Sequence, residues 1–164
     1  MTAQILVVDD NEVVRGRLSE ALKAHDGWEV CAEVANGEEA VAKARELNPD
    51  LIILDLAMPV MDGLRATREI TRILPSVPII IYTMHYSDWL VLEAKKAGAR
   101  GLVPKSDFAK LIGLSEDLLR KKSLVEFAPA VPASAEACAA ESRAAVPKPL
   151  VTDSQDTRPP FKPD

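Results

Sequence analysis

Asp9, Asp10, Asp55, Thr83 and Lys105 are side chains of the kinds that together move a phosphoryl group. Asp9-Asp10 follows the apolar run Ile5-Leu-Val-Val8, and Asp55 follows Leu51-Ile-Ile-Leu54. A short apolar run bounded by turn residues reads as a central strand of a parallel sheet, buried on both faces. In open α/β sheets the functional crevice lies past the carboxyl ends of the strands. Two strands therefore bring these acids to one edge, where they repel each other unless a cation joins them. Magnesium favours such hard oxygen ligands, taking one or two carboxylates plus waters and phosphate oxygens. Zinc would want His or Cys, and neither His25 nor His85 stands in a ligand pattern with the acids. The run Ile79-Ile-Ile-Tyr82-Thr83 brings a hydroxyl to the same edge, and Leu102-Val-Pro104-Lys105 brings an ammonium. Acid, metal, hydroxyl and ammonium around one carboxylate make a phosphoryl-transfer site, where positioning and charge neutralisation carry most of the catalysis. Asp55 is the nucleophile in that arrangement and forms an acyl phosphate.

These groups need a frame. Strand-like runs fall at 4–8, 29–34, 51–54, 78–82 and 101–103, with helical spacing between them at 12–24, 37–47, 63–73, 87–97 and 107–126. Strict β-α alternation implies a parallel sheet with right-handed crossovers and helices on both faces. Asn48-Pro49, Pro75 and Gly98 stand where the second, third and fourth helices should stop. In the first helix Val13, Val14, Leu18, Ala21 and Leu22 form the apolar stripe, with Arg15, Arg17, Glu20 and Lys23 outside it. Gly113 interrupts the fifth helix, and Ser115-Glu116 is where a turn would restart. Trp28 reads as a packing residue, His85 as a solvated loop residue, and Trp89 and Val91 as a partner surface on the fourth helix.

The chain of 164 residues has room for one domain, 1–126, and an extension, 127–164. With 48% hydrophobic but only 4% aromatic residues, its core must be aliphatic. A net charge of −5 argues against a nucleic-acid surface, which shows as a basic stripe. Cys31 and Cys138 make no disulfide framework, no run is long enough to cross a membrane, and acids by Asp9 speak against a signal peptide. The expectation is a reduced, cytoplasmic protein. Seven of the 12 prolines lie in the Pro/Ala-rich extension, which is expected to be a disordered tail. Its end, Arg158-Pro-Pro-Phe-Lys-Pro163, has the composition of a polyproline II peptide.

Residues 3–122 resemble the receiver domains of two-component response regulators. The resemblance rests on Val8-Asp9-Asp10, on Asp55-Leu-Ala-Met-Pro59 through Asp62-Gly63, on Tyr82-Thr83, and on Gly98-Ala-Arg-Gly101 leading to Lys105. It implies a flavodoxin-like (βα)5 fold in which Asp55 accepts a phosphoryl group from a phosphohistidine of a sensor kinase or histidine phosphotransfer protein. It implies that Asp9 or Asp10, or both, hold magnesium with Asp55 and the backbone carbonyl of Ala57. Lys105 then pairs with the phosphate, and Thr83 moves toward it. The family also places a cis peptide beside that lysine, which Pro104-Lys105 would match.

Three features depart from the family's pattern. Leu102 stands where a Tyr or Phe usually precedes the lysine by three residues, which predicts a weakened switch. Met84 follows Thr83 where a small residue is usual, and would crowd access to the phosphate. No amphipathic helix pair follows Phe127, so the expected output is contact with a downstream protein through the face of helix four, strand five and helix five, with no nucleic acid and no membrane. Two other readings compete: a truncated receiver of a transcriptional regulator, and an aspartyl-phosphate phosphohydrolase. The hydrolase needs a general acid two residues after its nucleophile, where this chain has Ala57, and a cap that no insertion provides. On the preferred reading no separate substrate is turned over.

Overall fold

The computed structural model describes residues 2–127, with side chains to residue 122. The elements alternate as β1 (Ala3–Val8), α1 (Glu12–Lys23), β2 (Trp28–Val34), α2 (Gly37–Leu47), β3 (Leu51–Leu54), α3 (Gly63–Ile73), β4 (Ile79–Thr83), α4 (Asp88–Ala97), β5 (Gly101–Pro104) and α5 (Phe108–Phe127). The strands form one sheet in the order β2-β1-β3-β4-β5, and every pairing is parallel. The expected segments are all present, with boundaries displaced by no more than a residue or so. The extension lies outside the described residues, as does Cys138.

Period-two alternation divides the strand residues between the two faces. Leu6, Val8, Ile52, Leu54 and Ile79 pack with Ala40, Ala44, Ala66 and Ile70 of α2 and α3. Ile5, Val7, Leu51, Ile53, Ile80 and Val103 pack with Leu18 and Leu22 of α1 and Leu111 of α5. Each fully buried aliphatic side chain stabilises the fold by about 1.5–3 kcal/mol relative to exposure. The core is aliphatic as expected: Tyr82, 6% exposed, is the one aromatic residue in it among the described residues.

Local chemistry sets the helix ends. Asn11, Asn36, Asp62 and Ser87 cap α1 to α4, each accepting a backbone N–H of the first turn. Asn48 at φ 45° closes α2, and Gly98 at φ 104° closes α4 in the left-handed region that glycine enters without penalty.

Three local expectations are corrected. Gly113 does not break α5, which runs unbroken from Phe108 to Phe127. The Ser115 hydroxyl donates to the Leu111 carbonyl inside the helix, and burial of Leu111 and Ser115 outweighs the roughly 1 kcal/mol that glycine costs there. Val13 is not part of the buried stripe of α1 but 62% exposed, because the inward face runs through Leu18, Ser19 and Leu22. On α4 the exposed pair is Trp89 and Leu92, whereas Val91 packs against the cluster of Ile81, Ala94, Ala99 and Leu102. Trp28 packs as expected, against the α1–α5 side of the sheet and stacked on His25.

Val60, in the β3–α3 loop, holds φ at 68°. A β-branched side chain is strained there by about 1–2 kcal/mol. Val60 is exposed, so nothing is lost from the core on replacing it. Val60→Gly should therefore raise stability in chemical denaturation by about 1 kcal/mol, after the greater unfolded-state freedom of glycine is deducted. An unchanged or lowered midpoint would contradict this account of the loop.

Candidate functional site

The carboxyl ends of β1, β3, β4 and β5 converge on one edge, and the site is built there. Asp9 directly follows β1 and is 1% exposed. Its Oδ1 accepts the Asn11 N–H at 2.9 Å and its Oδ2 accepts the Lys105 ammonium at 2.6 Å. Asp55 directly follows β3 and is 6% exposed. Its Oδ1 accepts the Leu56 N–H at 2.7 Å, and its Oδ2 lies 3.2 Å from Lys105 Nζ. Asp10 is exposed at the mouth. Carboxylate oxygens of Asp9, Asp10 and Asp55 all lie within 4.8 Å of one another.

This edge carries more negative charge than it balances. The Lys105 ammonium serves two of the three carboxylates. Burial pushes the Asp55 carboxyl above its usual range, partly offset by the Lys105 charge, while the Asp9 charge pushes it further up. Burial alone would lower Lys105, but the hydrogen bond it donates to Asp9 and the charges of Asp55 and Asp9 outweigh it and hold the ammonium firmly protonated. Oxygen-only donors, uncompensated charge and one acid open to solvent fit a hard divalent cation that keeps some of its waters.

Thr83 ends β4 fully buried, and its hydroxyl accepts the His85 N–H at 3.2 Å. Its carbonyl accepts the Lys105 N–H at 2.8 Å, tying the two strand ends together. Ala57 is exposed in the β3–α3 loop, two residues past Asp55. The His85 side chain is exposed, as expected of a loop residue. Met84, next to Thr83, is 75% exposed. The expected cis bond beside Lys105 is absent, since no peptide among the described residues is cis. Both bonds flanking Lys105 lead into residues other than proline, where the cis form costs about 2.5–4 kcal/mol.

Sequence reasoning missed two supporting residues. Arg15 was placed only outside the apolar stripe of α1, yet its guanidinium reaches back to donate to the Asp9 carbonyl at 2.7 Å. Tyr82 donates its hydroxyl to the Lys105 carbonyl at 3.1 Å. Neither contact has a local signal, because each accepting carbonyl lies in a connection outside the donor's own element. The cap at Asn11 was legible in principle, as an Asn just before a helical run.

Residues 5–114 match the family model described as "Response regulator receiver domain". The response regulator protein VraR of Staphylococcus aureus is 42% identical over 123 residues, which make up 75% of this chain and 57% of VraR. The chain thus spans little more than half the length of the curated relatives it matches. Among solved structures, a LuxR-family two-component response regulator from Aurantimonas sp. SI85-9A1 is similar with a TM-score of 0.71 and 38% identity, covering 74% of this chain and 87% of that one. The response regulator domain of Thermotoga maritima CheB gives 0.66 and 26%, over 74% of this chain and 96% of that one.

Proposed function

We propose that this chain, which belongs to the response regulator receiver domain family, takes a phosphoryl group onto Asp55 from a phosphohistidine and passes the signal on by protein–protein contact. The observation that carries this reading is the buried Asp55 carboxylate, held beside Lys105 and within one cluster with Asp9 and Asp10. In the transfer, an Asp55 oxygen forms a bond to phosphorus as the bond from phosphorus to the donor imidazole breaks. Lys105, already between Asp9 and Asp55, is placed to pair with the incoming phosphoryl oxygens. Magnesium, held by Asp9, Asp10, Asp55 and the Ala57 carbonyl, would neutralise charge on the transferring group. Thr83 can exchange its local contact with the His85 N–H for a charge-assisted bond to the phosphate. The donor is a sensor histidine kinase or a histidine phosphotransfer protein, and no separate substrate is turned over.

Met84, Tyr86, Trp89 and Leu92, two or three residues apart on the β4–α4 loop and α4, are exposed. They support an output through the face of α4, β5 and α5 toward a protein target. Leu102 is buried against Ile81, Ala94 and Ala99 and has no polar tip to swing between two positions. The coupling from Asp55 to that face should therefore fall below the usual 1–3 kcal/mol or so. The receiver domain is proposed to comprise residues 1–126, and 127–164 to be a tail dispensable for phosphorylation. No helix among the described residues is long and apolar enough to cross a membrane, and a cytoplasmic site of action is proposed. A second reading, that the receiver serves a transcriptional regulator, is favoured by the likeness to a LuxR-family regulator.

The test is intact-mass measurement of the full chain after incubation with a small acyl phosphate, with magnesium or with a chelator. One phosphoryl group should be gained, and only with magnesium. Labelling that ignores chelation would remove the basis of the reading.

A further inference from the structure

We infer that Tyr82 is a positioning residue for Lys105, acting on the ammonium at the site through the lysine backbone. Lys105 lies in the connection from β5 to α5. Consecutive residues of β4 grip its peptide units from either side. Its N–H donates to the Thr83 carbonyl at 2.8 Å, and its carbonyl accepts the Tyr82 hydroxyl at 3.1 Å. Those two bonds fix where the side chain sets out, and its far end lies 2.6 Å from Asp9 and 3.2 Å from Asp55.

The environment of Tyr82 makes its hydroxyl a dependable donor. The residue is 6% exposed and packs in the cluster of Val7, Leu18, Ile80, Val103 and Leu111. Its ring is therefore fixed, and the bond at its tip competes little with water. Burial pushes the phenol above its usual pKa, ahead of the opposing charge of Lys105, so it stays protonated at neutral pH. The ring also lines a groove with Val14, Arg17, Leu18, Ala21 and Phe108, between α1 and the start of α5. Tyr82 thus belongs to the scaffold by its ring and to the site by its oxygen alone.

This inference rests on the proposed role of Lys105 in phosphoryl transfer, and the test separates the two. Tyr82→Phe keeps the ring and removes only the donor. In the full chain, phosphorylation by a small acyl phosphate should slow about three- to tenfold, the range one hydrogen bond commands. In a Lys105→Ala background the same substitution should change the rate by less than about twofold, because coupled residues are not additive. The Lys105 Cε–Hε signal in carbon–proton NMR spectra should shift in Tyr82→Phe without any phosphodonor, while the other lysine signals stay in place. An unchanged Tyr82→Phe rate, or an equal loss with and without Lys105, would overturn the inference. If the wild type takes up no phosphoryl group, or Lys105→Ala is too slow to follow, the Lys105 signal decides alone. A shift then upholds the positioning role, and an unmoved signal ends it; failure of the wild type to be labelled counts against the proposed function instead.

Discussion

Asp55→Asn should abolish phosphoryl uptake and, in metal-free protein at neutral pH, leave the fold more stable than the wild type. The two effects share one cause. Asp55 is nearly buried beside a second carboxylate, Asp9, and divides one ammonium with it. Burial raises its pKa, so the folded chain binds this proton more readily than the unfolded chain does. Stability then falls as pH rises from the ordinary aspartate value of about 3.8 through the raised folded value, and stays low above it. The asparagine amide has no such limb, and its oxygen can still accept the Leu56 N–H that Asp55 Oδ1 accepts now. The variant should gain about 0.5–2 kcal/mol at pH 7, the usual return for relieving strain kept for function. That advantage should vanish below the ordinary aspartate range. Magnesium should narrow it as well and reverse it at high excess, since a ligand held by the native state adds about 2.7 kcal/mol at a hundredfold excess over its Kd. Denaturant titrations at pH 7 and pH 3, with and without magnesium, read all of these. Lower stability of Asp55→Asn at pH 7 would show that the carboxylate is held by compensation rather than under strain.

Alanine should have opposite effects at two glycines. A Cβ at Gly63 would lie 2.2 Å from the Asp55 carbonyl oxygen and 2.8 Å from the Leu56 Cα, both backbone atoms that cannot swing aside. The Gly63 N–H donates to the Leu56 carbonyl at 2.8 Å, so the close approach is what seats the first turn of α3 against the segment that carries Asp55. Gly63→Ala should cost about 3 kcal/mol or more, at the upper end for overpacking. It should also slow phosphorylation, because the peptide that carries Asp55 must move. A Cβ at Gly113 meets nothing within 4 Å. Gly113→Ala should stabilise by about 1 kcal/mol, the helix-propensity difference, and leave phosphorylation unchanged. Melting midpoints and labelling rates of the two variants check this, and similar midpoints for both would contradict it.

The contrast between these glycines marks what a single sequence reveals. Leu51–Leu54 followed by Asp55 is legible because an apolar run, a turn and an acid are neighbours in sequence, and the sheet does the rest. Helix stops at Asn48, Pro75 and Gly98 are legible for the same reason: the backbone constraint belongs to the residue itself. Gly113 misleads because its local cost is real but small beside the packing of α5 on the sheet. Trp89 to Leu92 form one apolar run, and which of them turns inward depends on how α4 lies against β5. The roles of Arg15 and Tyr82 could not be read, since each acts through a backbone carbonyl outside its own element. The acids and Lys105 could be read at once; the contacts of Arg15 and Tyr82 that support them could not.

The central claim is that a phosphoryl group resides on the Asp55 carboxylate. An acyl phosphate is reduced by borohydride, which converts an aspartyl phosphate to homoserine and leaves free carboxylates untouched. Wild-type protein should be phosphorylated in magnesium, treated with borohydride, digested and sequenced by tandem mass spectrometry. Homoserine at position 55 alone, lost on chelation, is the predicted result. Homoserine at position 9 or 10, or phosphate found on a serine, threonine or histidine with position 55 intact, would contradict it.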